Sequence, residues 1–215
     1  MNNNIESLTY YAATKKYDLR FPTLEEDLDV DVVIIGGGFS GINTALELAE
    51  RGITNIAILE GRYLGYGGTG RNGGQVMAGI GHDLEKIKRH VGPSGLETIF
   101  KSSNLGAGII RERIKKYEID ADFCFGYGYL GSNARQEKTL RSWLKEFKAG
   151  SPDEEIELYT GAEVKQVVGS DAYTCALKHM GGGHVHSLNL LLGEATALRG
   201  YGVKIFAHSS VLGVE

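Results

Sequence analysis

Residues 30–60 constrain this chain more than any other stretch. Val30, Val32, Val33, Ile34 and Ile35 form a β-branched apolar run, broken by Asp31 alone, of the kind that fills a parallel strand buried on both faces. The run stops at a turn of the form G-x-G-x-x-G, written here as Gly36, Gly37, Gly38, Phe39, Ser40 and Gly41. In that pattern Gly36 makes the tight turn, Gly38 lets main chain approach a pyrophosphate, and Gly41 lets the next helix pack closely on the strand. That helix is written in Ile42, Ala45, Leu46 and Ala49 at helical spacing, with Asn43, Thr44, Glu47 and Glu50 opposite, and Arg51 and Gly52 end it. Its N-terminal N–H groups and dipole would meet the charge of a diphosphate without a lysine. Residues 56–59 read as a second strand, and Glu60 closes it about 20 residues after Gly41, where a carboxylate accepts hydrogen bonds from ribose hydroxyls and repels a 2′-phosphate. Strand, glycine turn, amphipathic helix, strand and acid arrive in order. The stretch predicts an adenine dinucleotide site in which NADP is disfavoured and NAD and FAD remain.

A second glycine-dense segment separates those two. Glycine supplies 31 of 215 residues against 3 prolines, and the excess is not a collagen or low-complexity pattern. It gathers instead in Gly65, Gly67, Gly68, Gly70, Gly73 and Gly74, interleaved with Thr69, Arg71, Asn72 and Gln75. A plain NAD domain has no use for such a segment, whereas an extended flavin does. Glycines let main-chain amides approach the ribityl chain, Arg71 can offset phosphate charge, and Asn72 and Gln75 can hydrogen-bond flavin edges. The competing reading is a mobile surface loop. Gly61 and Arg62, directly after the acid, complete the residues expected at the cofactor.

Composition narrows the partners. With 23 basic and 27 acidic residues the net charge is −4, which gives no bulk attraction to nucleic acid or an anionic membrane. No apolar run approaches the roughly 18 residues of a membrane span, and the first six residues lack the order of a signal peptide. The expectation is a cytoplasmic protein acting on small molecules. Cys124 and Cys175 lack paired spacing and read as ordinary buried thiols.

The chain also resembles the FAD-dependent amine and amino-acid oxidoreductases of the D-amino-acid oxidase type. The likeness begins at Tyr10, Tyr11, Ala12 and Ala13, passes through Gly36 to Gly41 and Gly70 to Gln75, and continues in residues 109–115 with Ile119 and Asp120. It ends in Gly183, His184, Val185 and His186 with Leu188, Asn189 and Leu190. The resemblance implies FAD as cofactor, Glu60 on the adenosine ribose, and Val211 presenting backbone to the adenine. It further implies oxidation of an amine C–N bond, of a γ-glutamylputrescine-type substrate, with O2 as the second substrate. Another amine or amino acid, or an inactive fragment, are the alternatives. The sequence departs from the family at Gly68 and Thr69 (usually Ala-Ser), at Ser187 (usually proline) and at Cys175 (usually glycine).

The remaining segments are read more coarsely. Residues 84–117 predict two helices with a core stripe at Leu96, Ile99, Phe100, Ala107, Ile110, Ile114 and Tyr117, and a solvated basic face at Arg111, Arg113, Lys115 and Lys116. Residues 125–130 predict the first strand of a substrate-binding sheet with Tyr127 and Tyr129 flanking a substrate. Residues 135–147 predict a surface helix with a seam at Leu140, Trp143, Leu144 and Phe147. His184 and His186 are expected on one face of a strand; with no third ligand evident, no metal is expected. A helix around Leu188, Leu191, Leu192 and Ala195 leads to a third strand at residues 203–206, and residues 209–215 end in a strand-like pattern whose edge invites pairing. The expected fold is therefore α/β: a Rossmann-like FAD-binding domain with a parallel sheet (residues 1–82 and 184–215, discontinuous and incomplete), and a helical connection with the beginning of an antiparallel substrate domain (residues 83–183). The catalytic residues are not identifiable. A missing C-terminal half, or an oligomer partner, is expected to complete the site.

Overall fold

Two kinds of strand pairing follow from the two hydrophobic patterns. The structure, a computed structural model, describes residues 9–77 and 84–214; the first six residues and the expected boundary at residue 82 lie outside the described residues. The chain forms two compact units, one of residues 1–74, 113–122 and 185–215, the other of residues 75–112 and 123–184.

The first unit contains helix α1 (Tyr10–Thr14), strand β1 (Val32–Ile35), helix α2 (Phe39–Glu50), strand β2 (Ile56–Leu59), helix α6 (Ser187–Gly200) and strand β7 (Lys204–Phe206). The three strands form a parallel sheet in the order β1-β2-β7, with Val32 opposite Ile56 and Ile58 opposite Ile205. On one face Ile56, Ile58 and Ile205 pack with Ile42, Ala45 and Leu46 of α2 and with Leu191, Ala195 and Leu198 of α6. Ile42, Leu46, Ile58, Leu191 and Leu198 are all 0% exposed, and burying each such side chain contributes about 2 kcal/mol. The other face of β1 is not covered: Val33 is 54% and Ile35 60% exposed. The expectation of a strand buried on both faces is thus corrected at β1, because only Val32 and Ile34 of β1 meet the core, on the helical face, and nothing among the described residues packs on the other.

The tail is also corrected. Residues 209–214 carry no strand. His208 and Ser209 still donate backbone hydrogen bonds to the Arg62 and Glu60 carbonyls; without further backbone bonds among the described residues, Leu212 and Val214 stand 98% and 81% exposed.

The second unit is built on an antiparallel sheet of β3 (Gln75–Val76), β4 (Cys124–Gly131), β5 (Ile156–Thr160) and β6 (Cys175–His184), with β6 paired to each of the others. Helix α3 (Leu84–Lys116) is two helices meeting at Gly92, whose φ of 71° breaks the spiral before Pro93. Leu96 and Phe100 of α3 pack with Leu140 and Phe147 of α4 (Ala134–Gly150) against Leu177 of β6, with Trp143 and Leu144 alongside. The expected seam is core; of the expected stripe Leu96, Phe100 and Ala107 are buried, whereas Ile99, Ile110, Ile114 and Tyr117 are only partly buried. A short helix α5 (Ala162–Val168) completes the unit.

Several side-chain expectations change. Tyr129 stacks on Phe147 and meets Trp143 edge-on, and burial pushes its phenol pKa up; Tyr127 stacks on His179 at 5.0 Å. Tyr129 thus packs into the core of its own unit on the α4 side, while Tyr127, partly buried, rests on His179. His184 ends β6, whereas Val185 intervenes and His186 caps α6 by accepting a hydrogen bond from the Asn189 amide at 3.1 Å. The two histidines therefore do not share a strand face. Cys175 is buried but Cys124, at the open start of β4, is exposed. No helix among the described residues is long and apolar enough to cross a membrane.

Candidate functional site

The exit of β1 and the start of α2 are pressed together. Gly36 donates to the Leu59 carbonyl at 2.8 Å, which ties the turn to β2, and a Cβ on Gly41 would run into the Gly36 carbonyl oxygen. Any side chain at Gly41 would push α2 off the sheet. Gly38 heads α2 with no side-chain cap hydrogen bond, and the first turn holds no acidic residue. The positive end of a 12-residue helix is therefore left facing outward, the physical requirement for holding a diphosphate.

Glu60 closes the same turn from below. Its Oε2 accepts from the Gly37 amide at 2.8 Å and its Oε1 from the Arg62 amide at 2.7 Å. Each carboxylate oxygen keeps a lone pair for a further donor, such as a ribose hydroxyl. Gly61 lies against Ser210, and Glu60 itself accepts a backbone hydrogen bond from Ser209 at 2.8 Å, so the loop of Val211 runs beside the acid.

The second glycine segment folds up to the first. A 3-10 turn at Gly68–Gly70 brings the Thr69 hydroxyl to the Phe39 amide at 3.1 Å, directly at the N-terminus of α2. Thr69 presents its hydroxyl there. The Asn72 carboxamide is engaged within its surroundings: it donates to the Gly68 and Thr69 carbonyls and accepts from the Gly74 amide and, at 2.5 Å, from the Ser187 hydroxyl. Ser187 thus helps to pin the loop. Arg71 donates to the Tyr66 carbonyl at 2.8 Å and lies over the Tyr66 ring, as does Arg62. Gly73 is exposed and Gly74 buried. The structure therefore gathers Gly36, Gly38, Phe39, Ser40, Gly41, Glu60, Gly61, Arg62, Gly68, Thr69, Arg71, Asn72, Gly73, Gly74 and Val211 in the first unit. Gln75 falls in the second, exposed and paired with His184 in β3.

A polar network beneath the turn escaped the sequence reading. Arg113 is only 5% exposed; it donates to Asn43 Oδ1 at 2.6 Å and pairs with Glu47 and Glu50. The expected solvated basic face is wrong at this position, because Arg113 lies on the same side of α3 as Ile110 and Ile114 and is carried into the core with its acceptors. Arg111, in the other unit, donates to the Gly181 carbonyl and pairs with Glu154. Asn43 also donates to the Phe39 carbonyl and to Glu194 Oε2, at 2.9 and 3.0 Å. Burial pushes the Glu194 carboxyl up to about 7, although Arg113 and Asn43 pull the other way. Burial also works to raise Glu50, but hydrogen bonds from Tyr117, Lys116 and Arg113 prevail and bring it down to about 2. The available signals were an arginine inside an apolar stripe and a glutamate between Leu192 and Ala195.

Known proteins share this arrangement. A profile of the FAD dependent oxidoreductases matches residues 31–215. The chain belongs to that family. It is 36% identical to the gamma-glutamylputrescine oxidoreductase of Escherichia coli, over 96% of this chain and 48% of that protein. It is likewise 36% identical to the probable oxidoreductase OrdL of Haemophilus influenzae, over 95% and 47%. Among solved structures, the L-amino acid deaminase of Proteus myxofaciens superposes with a TM-score of 0.73 at 25% identity, over 92% of this chain and 42% of that one. The chain spans about half the length of the curated relatives it matches. The family is one of FAD-dependent enzymes, and the outward-facing end of α2 with Glu60 beside it fits the diphosphate and ribose of that cofactor.

Proposed function

We propose that this chain supplies the dinucleotide-binding part of an FAD-dependent amine oxidase whose substrate is of the γ-glutamylputrescine type. The observation that carries the reading is the acid-free start of α2 behind Gly38, with the Glu60 carboxylate held by the Gly37 amide; the family membership and the 36% identity support it. In this reading the α2 amides hold the diphosphate, Glu60 accepts from the adenosine ribose, and the Val211 main chain meets the adenine. Thr69 adds a hydroxyl at the diphosphate, Arg62 and Arg71 offset its charge, and Asn72 holds the loop of residues 68–74 in shape. Gln75 is assigned to the flavin edge. Bound FAD would accept a hydride from the carbon beside the neutral amine, leaving an imine for water to hydrolyse, and pass two electrons to O2 to give hydrogen peroxide. We place this work in the cytoplasm, which suits an exposed free thiol at Cys124.

The test has two stages. The purified 215-residue protein, mixed with FAD, should retain yellow colour through desalting; a colourless protein would remove the cofactor assignment. The protein extended to the length of its relatives should release peroxide with γ-glutamylputrescine and not with sarcosine or D-alanine. Equal rates on all three would leave the family and discard the substrate.

A further inference from the structure

The first unit holds a cavity of about 490 Å³ that the glycine turn does not line. Its apolar wall comes from Leu64, Leu188 and Leu192, whereas Lys15, Arg20 and His208 stand around it and, among the described residues, no carboxylate does. Several other cations of the unit are ion-paired. Lys16 pairs with Asp120 and Asp122, Arg113 with Glu47 and Glu50, and Lys116 with Glu50. Lys15 and Arg20 have no carboxylate at ion-pair distance among the described residues, in a chain of net charge −4.

The walls are fixed. The Lys16 amide donates to Asn189 Oδ1 at 2.9 Å, Arg199 donates to the Arg20 carbonyl at 2.6 Å, and the Ala207 amide donates to the Pro22 carbonyl at 2.9 Å. His208 reaches the cavity from a left-handed backbone, φ 52°, held by its bond to the Arg62 carbonyl. That conformation costs a non-glycine residue about 1 kcal/mol. Tyr63, also at the cavity, accepts from Arg71 through its phenol oxygen and so keeps its own proton to donate. A preformed apolar pocket with a few convergent polar groups is the usual form of a small-molecule site, and this volume lies within the usual range.

We infer that this cavity binds a small amphipathic anion, a carboxylate or phosphate monoester on a short aliphatic body, independently of the dinucleotide site. The anionic end is met by Lys15, Arg20 and His208, and the aliphatic body lies on Leu64, Leu188 and Leu192.

Calorimetric titration of the 215-residue protein, with and without added FAD, would use hexanoate and hexyl phosphate, with hexanol and hexylamine as size-matched controls. The two anions should bind at least ten-fold more tightly than either control, and more weakly as salt is raised. The double substitution Lys15→Glu and Arg20→Glu should weaken the anions at least ten-fold without shifting the thermal midpoint; should the midpoint move, Arg20→Gln alone must still weaken them. Absence of binding, or hexanol binding as well as hexyl phosphate, would overturn the inference. So would displacement of hexyl phosphate by saturating ADP, since the cavity would then belong to the adenosine site. Because the titration is also run without FAD, a failure of the cofactor reading leaves this result interpretable.

Discussion

The two glycine-rich segments of the first unit are made by the same device and end differently. In the first, Gly41 must lack a Cβ because the Gly36 carbonyl lies against it; in the second, Gly70 must lack one because of the Gly65 carbonyl. Each is a tight loop closed five residues on. The first then runs into the 12 residues of α2, whose leading Gly38 has no side chain to cap it and whose Phe39 amide meets the Thr69 hydroxyl. The second stops after the three residues of its 3-10 turn, and its polar groups are taken up by Asn72 and Arg71. Glycine content alone does not make an anion site. A long helix behind the turn does, because only aligned peptide dipoles leave a lasting positive end.

The largest expected effect tests the shared device. Gly41→Val should destabilise the first unit by about 4 kcal/mol or more, since both the carbonyl and α2 would have to move, whereas Gly70→Val should cost about 2 kcal/mol in the shorter turn. Urea denaturation of both variants measures this, and equal costs would break the comparison.

Next in size is a pH effect in the polar network joined to α2. Glu194 is bonded to Asn43 of α2, and its folded pKa of about 7 lies above the ordinary 4.5. The folded state thus holds this proton more tightly than the unfolded one. The resulting stability is fully present below about pH 4.5 and is lost as pH rises to about 7, by about 3 kcal/mol in all. Glu194→Gln should flatten that slope in a pH series of thermal midpoints. Glu50, lowered to about 2, acts in the opposite sense: its stabilisation is present above about pH 4.5 and is lost as pH falls toward 2.

Smaller effects separate binding from scaffold. Glu60→Gln keeps one acceptor oxygen but loses the other, so FAD affinity in a flavin-fluorescence titration should fall about ten-fold, equivalent to about 1.4 kcal/mol. Thr69→Ala removes the single hydrogen bond joining the two segments at the Phe39 amide and should lower FAD-free stability by about 1 kcal/mol. A larger loss of stability for Glu60→Gln than for Thr69→Ala would assign the acid to the scaffold.

Much of the first unit was legible because its signals are local. The order of strand, glycine turn, helix and acid lies within 30 residues, and helical spacing put Ile42, Ala45 and Leu46 on the buried face of α2. What failed depended on distant neighbours. Arg113 looked solvated until Asn43, Glu47 and Glu50, far away in the chain, were seen to surround it. Tyr129 looked available to a substrate until Phe147 and Trp143 were found against its ring. Val33 and Ile35 looked buried because composition reports that a residue is apolar, not whether anything covers it.

The sequence by itself determined the parallel strand pairing around a glycine turn, the helix behind it and the acid beside it, because period, glycine and charge act over a few residues. Only the tertiary structure decided that Thr69 reaches the start of α2, that Asn72 is held within its own loop, that Glu194 is buried under the turn, and that Lys15, Arg20 and His208 surround one cavity. Each of these rests on side chains brought together from distant parts of the chain, where burial and hydrogen-bond geometry, rather than residue type, set the chemistry.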